Sequence, residues 1–220
     1  MNIAQYIDHT YTKPDATRER VIQFCDEAKQ YGFFSVCANP YWARLCAEQL
    51  AGSGVKTCVV VGYPLGANLS VIKAQETLLA VEAGADEIDM VMNIGELKSG
   101  RFDFCRQDIE TVRKAAPKPI VLKVILEACL LTDEEKVRAC EIAELAGADF
   151  VKTSTGFGAS GATVEDVQLM RKTVGNRLGV KAADGIKTYV AAKAMIGAGA
   201  NRLGCKHSVT IVNEAAEAKE

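Results

Sequence analysis

Histidine is nearly absent from this chain. His9 and His207 are the only two in 220 residues, too few for a zinc centre built on two or three histidines. The eight cysteines, at 25, 37, 46, 58, 105, 129, 140 and 205, form no CxxC pair and fall on apolar segments. They read as reduced core thiols of a cytoplasmic protein, not as a metal or disulfide framework. Long apolar runs are missing too, and nothing approaches the ~18 continuous residues of a membrane span. The opening "MNIAQYIDHTYTKPDATRER" has no basic start followed by an apolar run, so no secretory signal is expected. Charge of one sign is also lacking. A net charge of −2 with scattered lysine and arginine makes no electrostatic case for nucleic acid or an anionic membrane as partner. Seven Phe, six Tyr and one Trp offer no obvious base-stacking surface.

What is present is an ordinary globular composition, 49% hydrophobic and 25% charged, with enough chain for one sizeable core. The expectation is a single domain over residues 1–220. Strand-like runs alternate with helical ones throughout. Strands are expected near "YIDHT", "FFSVCAN", "KTCVVVG", "DEIDMVMN", "PIVLKVILE", "DFVKTST", "GVKAA" and "NRLGC". Helical patterns fall at 15–31, 40–51, 68–83, 101–115, 133–146, 163–174, 188–198 and 208–217. Asp15, Asn68, Thr132 and Thr188 suit helix N-caps, and "TDEE" at 132–135 is a capping box. Eight strands each followed by a helix predict an α/β fold, a (β/α)8 barrel of the TIM type; a doubly wound open sheet is the alternative.

A weak internal repeat bears on that choice. "AGAD" at 83–86, "AGAD" at 146–149 and "AGAN" at 198–201 each stand between a helix and a strand. Gly84, Gly147 and Gly199 fit the position just past a helix end, where a left-handed backbone is needed. Five residues beyond each glycine come Asp89, Lys152 and Gly204. Side chains alternate across a strand, so these three share one face and one depth, as barrel layers require. The opposite faces carry Ile88, Met90, Met92, Val151, Leu203 and Cys205, suited to packing under helices. The same parity turns Lys123, Ile125 and Glu127 inward, with Lys181, Asp8 and Thr10. Three lysines (123, 152, 181) and three acids (Asp8, Asp89, Glu127) are thus expected inside the barrel.

Burying an ammonium without a partner is costly, so Lys152 in "GADFVKTSTGFG" poses a question. One answer is a structural ion-pair network. The other is an amine kept neutral by a neighbouring cation, Lys181, so that it attacks a carbonyl carbon. The resulting iminium is an electron sink, and a carboxylate near a lysine, Asp89 with Lys181, can move the proton on carbon through a water. Such chemistry needs no metal and no cofactor. A non-covalent barrel isomerase or lyase, and a non-catalytic barrel, are the rival readings.

Seven motifs, "YIDHT", "SVCANP", "VVGYPLG", "GADEIDMVMNIG", "LKVILEACLLTDEEK", "GADFVKTSTGF" and "GVKAADGIKT", closely resemble the deoxyribose-phosphate aldolase family of Schiff-base aldolases, in order over nearly the whole chain. The resemblance implies reversible cleavage of 2-deoxy-D-ribose 5-phosphate to acetaldehyde and D-glyceraldehyde 3-phosphate, in deoxyribonucleotide catabolism. It implies Lys152 as the Schiff-base residue, Lys181 as the second lysine and Asp89 as proton donor and acceptor. Lys123, Asp8, Thr10, Cys37 and Glu127 become a supporting network, with Cys37 equally readable as a small core residue. Thr153, Gly156, Asp184, Gly185, Gly204 and Lys206 become phosphate or substrate contacts. The family also suggests a homodimer.

The chain departs from the family pattern in places. Asp184-Gly185 stands where a glycine pair is usual, and "LGCKHS" at 203–208 replaces small hydroxyl-bearing residues. Asp184 beside a phosphate at ~4 Å would repel it by about 4 kcal/mol at an effective dielectric near 20. An Asp184–Lys206 contact, and an aldolase with less dependence on phosphate and a preference for non-phosphorylated aldehydes, is the expectation this raises. Tyr11-Thr12 replaces two leucines, and the tail "VNEAAEAKE" has no tyrosine where many relatives carry one to assist proton transfer, which predicts lower turnover.

Overall fold

The computed structural model describes residues 2–218, so the last two residues of the tyrosine-free tail lie outside it. Short runs rich in valine and isoleucine become strands, each followed by a helix with an apolar inner face. In chain order these are β1 (Ile7–Tyr11), α1 (Arg18–Tyr31), β2 (Ser35–Ala38), α2 (Ala43–Leu50), β3 (Lys56–Val61), α3 (Ser70–Glu82), β4 (Glu87–Val91), α4 (Ile94–Lys98) and α5 (Phe102–Ala115). The second half holds β5 (Val121–Ile125), α6 (Asp133–Leu145), β6 (Phe150–Lys152), α7 (Val164–Val174), β7 (Gly179–Ala183), α8 (Tyr189–Gly197), β8 (Arg202–Cys205) and α9 (Ser208–Glu217). The strands pair in parallel in sequence order and β8 closes on β1. The architecture is therefore the (β/α)8 barrel and not an open sheet.

The parity argument holds on the outer face. Ile88, Met90, Met92, Leu122, Val124, Val151, Val180 and Leu203 are buried in one core with helix residues such as Ile109, Val112 and Met170. Each such side chain contributes about 1.5–3 kcal/mol of transfer free energy when fully buried. Inside the barrel, Cys37, Cys58 and Val60 form a separate small apolar cluster with Tyr63 against it. The eight cysteines are all free, and all but Cys129 are buried. Gly84, Gly147 and Gly199 take φ of +104°, +82° and +112°, as the three repeats require.

Local signals set most helix starts. Thr132 and Glu135 form the expected capping box, and Thr188 accepts from the Ala191 amide. Two expected caps are corrected. Thr17 caps α1, while Asp15 instead accepts a bond from the Tyr11 hydroxyl at 3.3 Å. Asn68 lies one residue too early, because the α3 turn closes on the Leu69 carbonyl. The helix expected at 40–51 begins as a 3₁₀ turn, Pro40–Trp42, before α2. The short α4 was not anticipated; Asn93 caps it through the Glu96 amide.

One buried ion pair braces the helical layer beside β4. Lys73 of α3 is fully buried, with Nζ 2.5 Å from Asp108 Oδ2 of α5 and 2.9 Å from the Val91 carbonyl. Removing one member strands the other charge in the core. Asp108→Asn is therefore expected to cost about 3–5 kcal/mol in urea unfolding. The double change Lys73→Met with Asp108→Leu is expected to recover most of it, since neither side chain then needs a partner.

Candidate active site

The inner face of the barrel is a network of charges built by strand register. Asp89 of β4 sits opposite Lys123 of β5, Lys152 of β6 opposite Lys181 of β7, and Lys181 opposite Arg202 of β8. Asp8 of β1 pairs with Gly204. A Cβ on Gly204 would stand 3.0 Å from Lys181 Cε, so the absence of a side chain there leaves room for the lysine to cross the barrel.

Asp89 is the hub. Its Oδ1 accepts from Lys123 at 2.8 Å, and its Oδ2 accepts from Lys152 at 2.8 Å and Lys181 at 2.7 Å. Lys123 also donates to Glu87 at 2.6 Å. Lys181 Nζ lies 2.5 Å from Asp8 Oδ2, an ion pair without hydrogen-bond alignment. Arg202 joins Asp8, through Nε at 2.8 Å, to Glu87, through Nη2 at 2.9 Å, and Ser35 donates to Asp8 at 2.7 Å. Burial works against the charges of Asp8, Asp89 and Lys181, yet their partners prevail. The three lysines hold Asp89 well below the ordinary carboxylate range, and Arg202 and the lysines do the same for Asp8. Burial would lower Lys181, but Asp8 and Asp89 raise it, so it remains an ammonium through the neutral range.

Two members were missed and one was misplaced by the strand parity. Arg202 and Glu87 stand two residues from Gly204 and Asp89, so the same parity turns them inward. Glu127 does not join the network. The chain leaves β5 at Ile125 and Glu127 takes a left-handed backbone, φ 54°, which ends the alternation. Its carboxylate instead accepts from the amide and hydroxyl of Thr155.

At the C-terminal ends of the strands a cavity of about 390 Å³ opens, where active sites of this architecture sit. Of the ion network, Lys152 alone lines it; Asp89, Lys123 and Lys181 lie beneath. Thr10, Gly156, Asp184, Gly185, Gly204 and Lys206 also line the cavity. Thr10 donates to the Asp8 carbonyl at 2.8 Å. Thr153 does not reach the cavity; its hydroxyl accepts from the Ala183 amide at 3.0 Å and ties β6 to β7. Cys37 lies against Cys58 inside the barrel, not on the cavity wall.

The expected Asp184–Lys206 pair does not form; among the described residues no ion pair includes either. Both are exposed at the rim. Asp184 has φ 65°, its amide donates to the Gly204 carbonyl, and its carbonyl accepts from Ala162, so the backbone sets its position.

Cys37, Cys58 and Asp89 bring three potential ligand atoms within 4.8 Å of one another. The charges do not suit a metal. Both Asp89 oxygens are engaged by lysines, and a divalent cation there would face Lys123, Lys152 and Lys181 together.

This geometry agrees with the comparison to known proteins. A family model described as "DeoC/LacD family aldolase" matches residues 2–205. The chain belongs to that family. It is 58% identical to a deoxyribose-phosphate aldolase of Caldanaerobacter subterraneus subsp. tengcongensis, over 97% of this chain and 94% of the relative. It is 57% identical to one from Thermococcus gammatolerans, over 100% of this chain and 99% of the relative. Among solved structures, an aldolase called QR15 superposes with a TM-score of 0.93 at 37% identity, covering 99% of this chain and 97% of that one. The deoxyribose phosphate aldolase of Aeropyrum pernix, described as a unique tetramer, gives 0.91 at 32% identity, covering 98% and 92%. As a member of the DeoC/LacD family the chain is an aldolase, a carbon–carbon lyase. No helix among the described residues is long and apolar enough to cross a membrane.

The depressed carboxylates of this aldolase make its stability sensitive to acid. A group whose folded pKa lies below its unfolded value, ~3.9 for aspartate, contributes fully above that value and loses its contribution as pH falls below it. Unfolding free energy is expected to drop steeply below about pH 4. Asp8→Asn is expected to be less stable at neutral pH but to give a flatter curve over the acid range, as measured by denaturant unfolding across a pH series.

Proposed function

We propose that the chain, acting as one barrel domain over residues 1–220, cleaves 2-deoxy-D-ribose 5-phosphate reversibly to acetaldehyde and D-glyceraldehyde 3-phosphate through a Schiff base on Lys152. The observation that carries this is the place of Lys152, the one amine of the buried network on the cavity wall. Fully ionised, the network holds Lys123, Lys152, Lys181 and Arg202 against Asp8, Glu87 and Asp89. One positive charge is in excess, in a setting where uncompensated charge is costly. Discharging one amine balances the network. Lys123, Lys181 and Arg202 each bridge two acids, whereas Lys152 meets Asp89 alone.

The neutral amine adds to the aldehyde carbon of the open-chain sugar, and the resulting hydroxyl takes up a proton from solvent and leaves as water, forming an iminium; that proton is returned when the iminium is hydrolysed. The third-carbon hydroxyl loses its proton, the bond between the second and third carbons breaks, and its electron pair moves into an enamine. Glyceraldehyde 3-phosphate departs. The enamine takes a proton on carbon, and water then releases acetaldehyde and restores Lys152. Asp89 lies below the cavity with Lys152 and Lys181 on one oxygen, so with Lys181 it moves protons to the substrate through a bound water. Lys181, kept cationic by two acids, supplies a fixed positive charge beside that path. No step calls on a metal or cofactor.

The rim of the cavity seats the phosphate in this reading. Gly156, Gly185, Gly204 and Lys206 line it, with Lys13 and Lys187. Asp184 on the same wall favours the second reading, reduced dependence on phosphate, but three lysines outnumber it. The eight free thiols suit a reducing cytoplasm. A homodimer belongs to the same reading, supported by exposed Leu69, Val71, Ile72 and Leu79 around α3 and Phe104 on α5.

Incubation with acetaldehyde and borohydride followed by peptide mass spectrometry is expected to place a reduced adduct on Lys152. Lys152→Leu is expected to lose the adduct and more than about a thousandfold in retro-aldol kcat. Retained cleavage in that variant would show that no Schiff base forms at this residue.

A further inference from the structure

Tyr63, in the loop between β3 and α3, stands just behind the cavity wall. Its ring packs on Cys37, Cys58 and Val60 inside the barrel. It also meets Phe157 edge-on, with centroids 5.6 Å apart and ring planes at 90°. The hydroxyl makes two bonds that join two other loops. It donates to the Thr155 carbonyl after β6, and lies 3.0 Å from Thr12 Oγ1 after β1. A phenol has one proton to give. With that proton on Thr155, the Thr12 hydroxyl is the donor to Tyr63, so the chain runs Thr12 to Tyr63 to the Thr155 carbonyl. Burial pushes the Tyr63 phenol above its ordinary range, which keeps that proton in place. The Thr12 that departs from the family's leucines thus has a partner.

In a trans peptide the C=O and N–H point in opposite directions. The Thr155–Gly156 peptide is trans, and its carbonyl is held on the Tyr63 side. The Gly156 N–H therefore points away from Tyr63, and it has no acceptor among the described residues. Gly156, with φ +89°, lines the cavity. A free backbone N–H beside a glycine in such a conformation is an anion donor. We propose that Tyr63 is a positioning residue for the substrate phosphate: its hydroxyl, held by Thr12, fixes the Thr155–Gly156 peptide so that the Gly156 N–H faces the anion. This rests on the phosphate seat assigned above.

The test is steady-state cleavage of deoxyribose 5-phosphate and of deoxyribose by the wild type, Tyr63→Phe, Thr12→Val and the double variant, with thermal unfolding alongside. Phenylalanine keeps the ring packing and removes only the hydroxyl. Loss of one positioned hydrogen bond is expected to raise KM for the phosphorylated sugar about five- to tenfold in Tyr63→Phe. The same variant is expected to leave kcat within about twofold and deoxyribose cleavage unchanged. Thr12→Val is expected to shift KM in the same direction by less, and the double variant to match Tyr63→Phe alone, because both act through one chain of bonds. Equal losses on both sugars, or a lower Tm with KM unchanged, would overturn the assignment. Should Tyr63→Phe fail to fold, Thr12→Val decides by the same comparison. A wild type with no preference for the phosphorylated sugar removes the phosphate seat and this role together. A wild type with the preference, and variants that keep it, removes the role of Tyr63 alone.

Discussion

Everything at the centre of this barrel answers to a mismatch of charge: four cationic side chains share three carboxylates away from water. A core aspartate gripped by three lysines is an expensive arrangement if stability were the only end, since apolar side chains of similar volume hold a barrel together as well or better. The arrangement makes sense as a device that leaves one amine underpaired at the edge of a cavity. Lys123, Lys181 and Arg202 each bridge two acids and act as fixed charges. Lys152 has one acid beneath it and open space above.

The barrel keeps that device rigid by ordinary means. The outward faces of the strands form a continuous apolar core with the helices, so the inward faces are held at set depths by register. Gly204 makes room for Lys181, and Ser35 orients Asp8. Around the mouth the loops brace one another: Glu127 holds Thr155, Tyr63 holds Thr155 and Thr12, and Lys13 lies over Phe157 at 4.0 Å. In the proposed reading, chemistry sits on strands, which are stiff, and recognition on loops fastened to each other.

The same bracing explains how the departures from the family pattern are accommodated. Asp184 occupies a left-handed position at the rim, with its backbone tied to Gly204 and Ala162. Asp184 thus takes the left-handed backbone that glycine favours, held by those two bonds. Thr12 supplies a hydroxyl that leucine lacks, and that hydroxyl is bonded to Tyr63.

Strand alternation, the glycine repeats and the capping residues were enough to read eight βα units and the inward faces of Asp89, Lys152 and Lys181 from the chain alone, because these signals are local and periodic. Arg202 and Glu87 escape that reading although the same parity turns them inward, because their part in the network depends on contacts across the barrel that no periodicity records. Glu127 was misjudged because a strand's end is not periodic: one left-handed residue breaks the alternation. Which lysine would face open space, whether Asp184 would meet Lys206, and what the Tyr63 hydroxyl would hold were decided only by the closed barrel. Each depends on residues far apart in sequence and on the direction in which a loop leaves its strand.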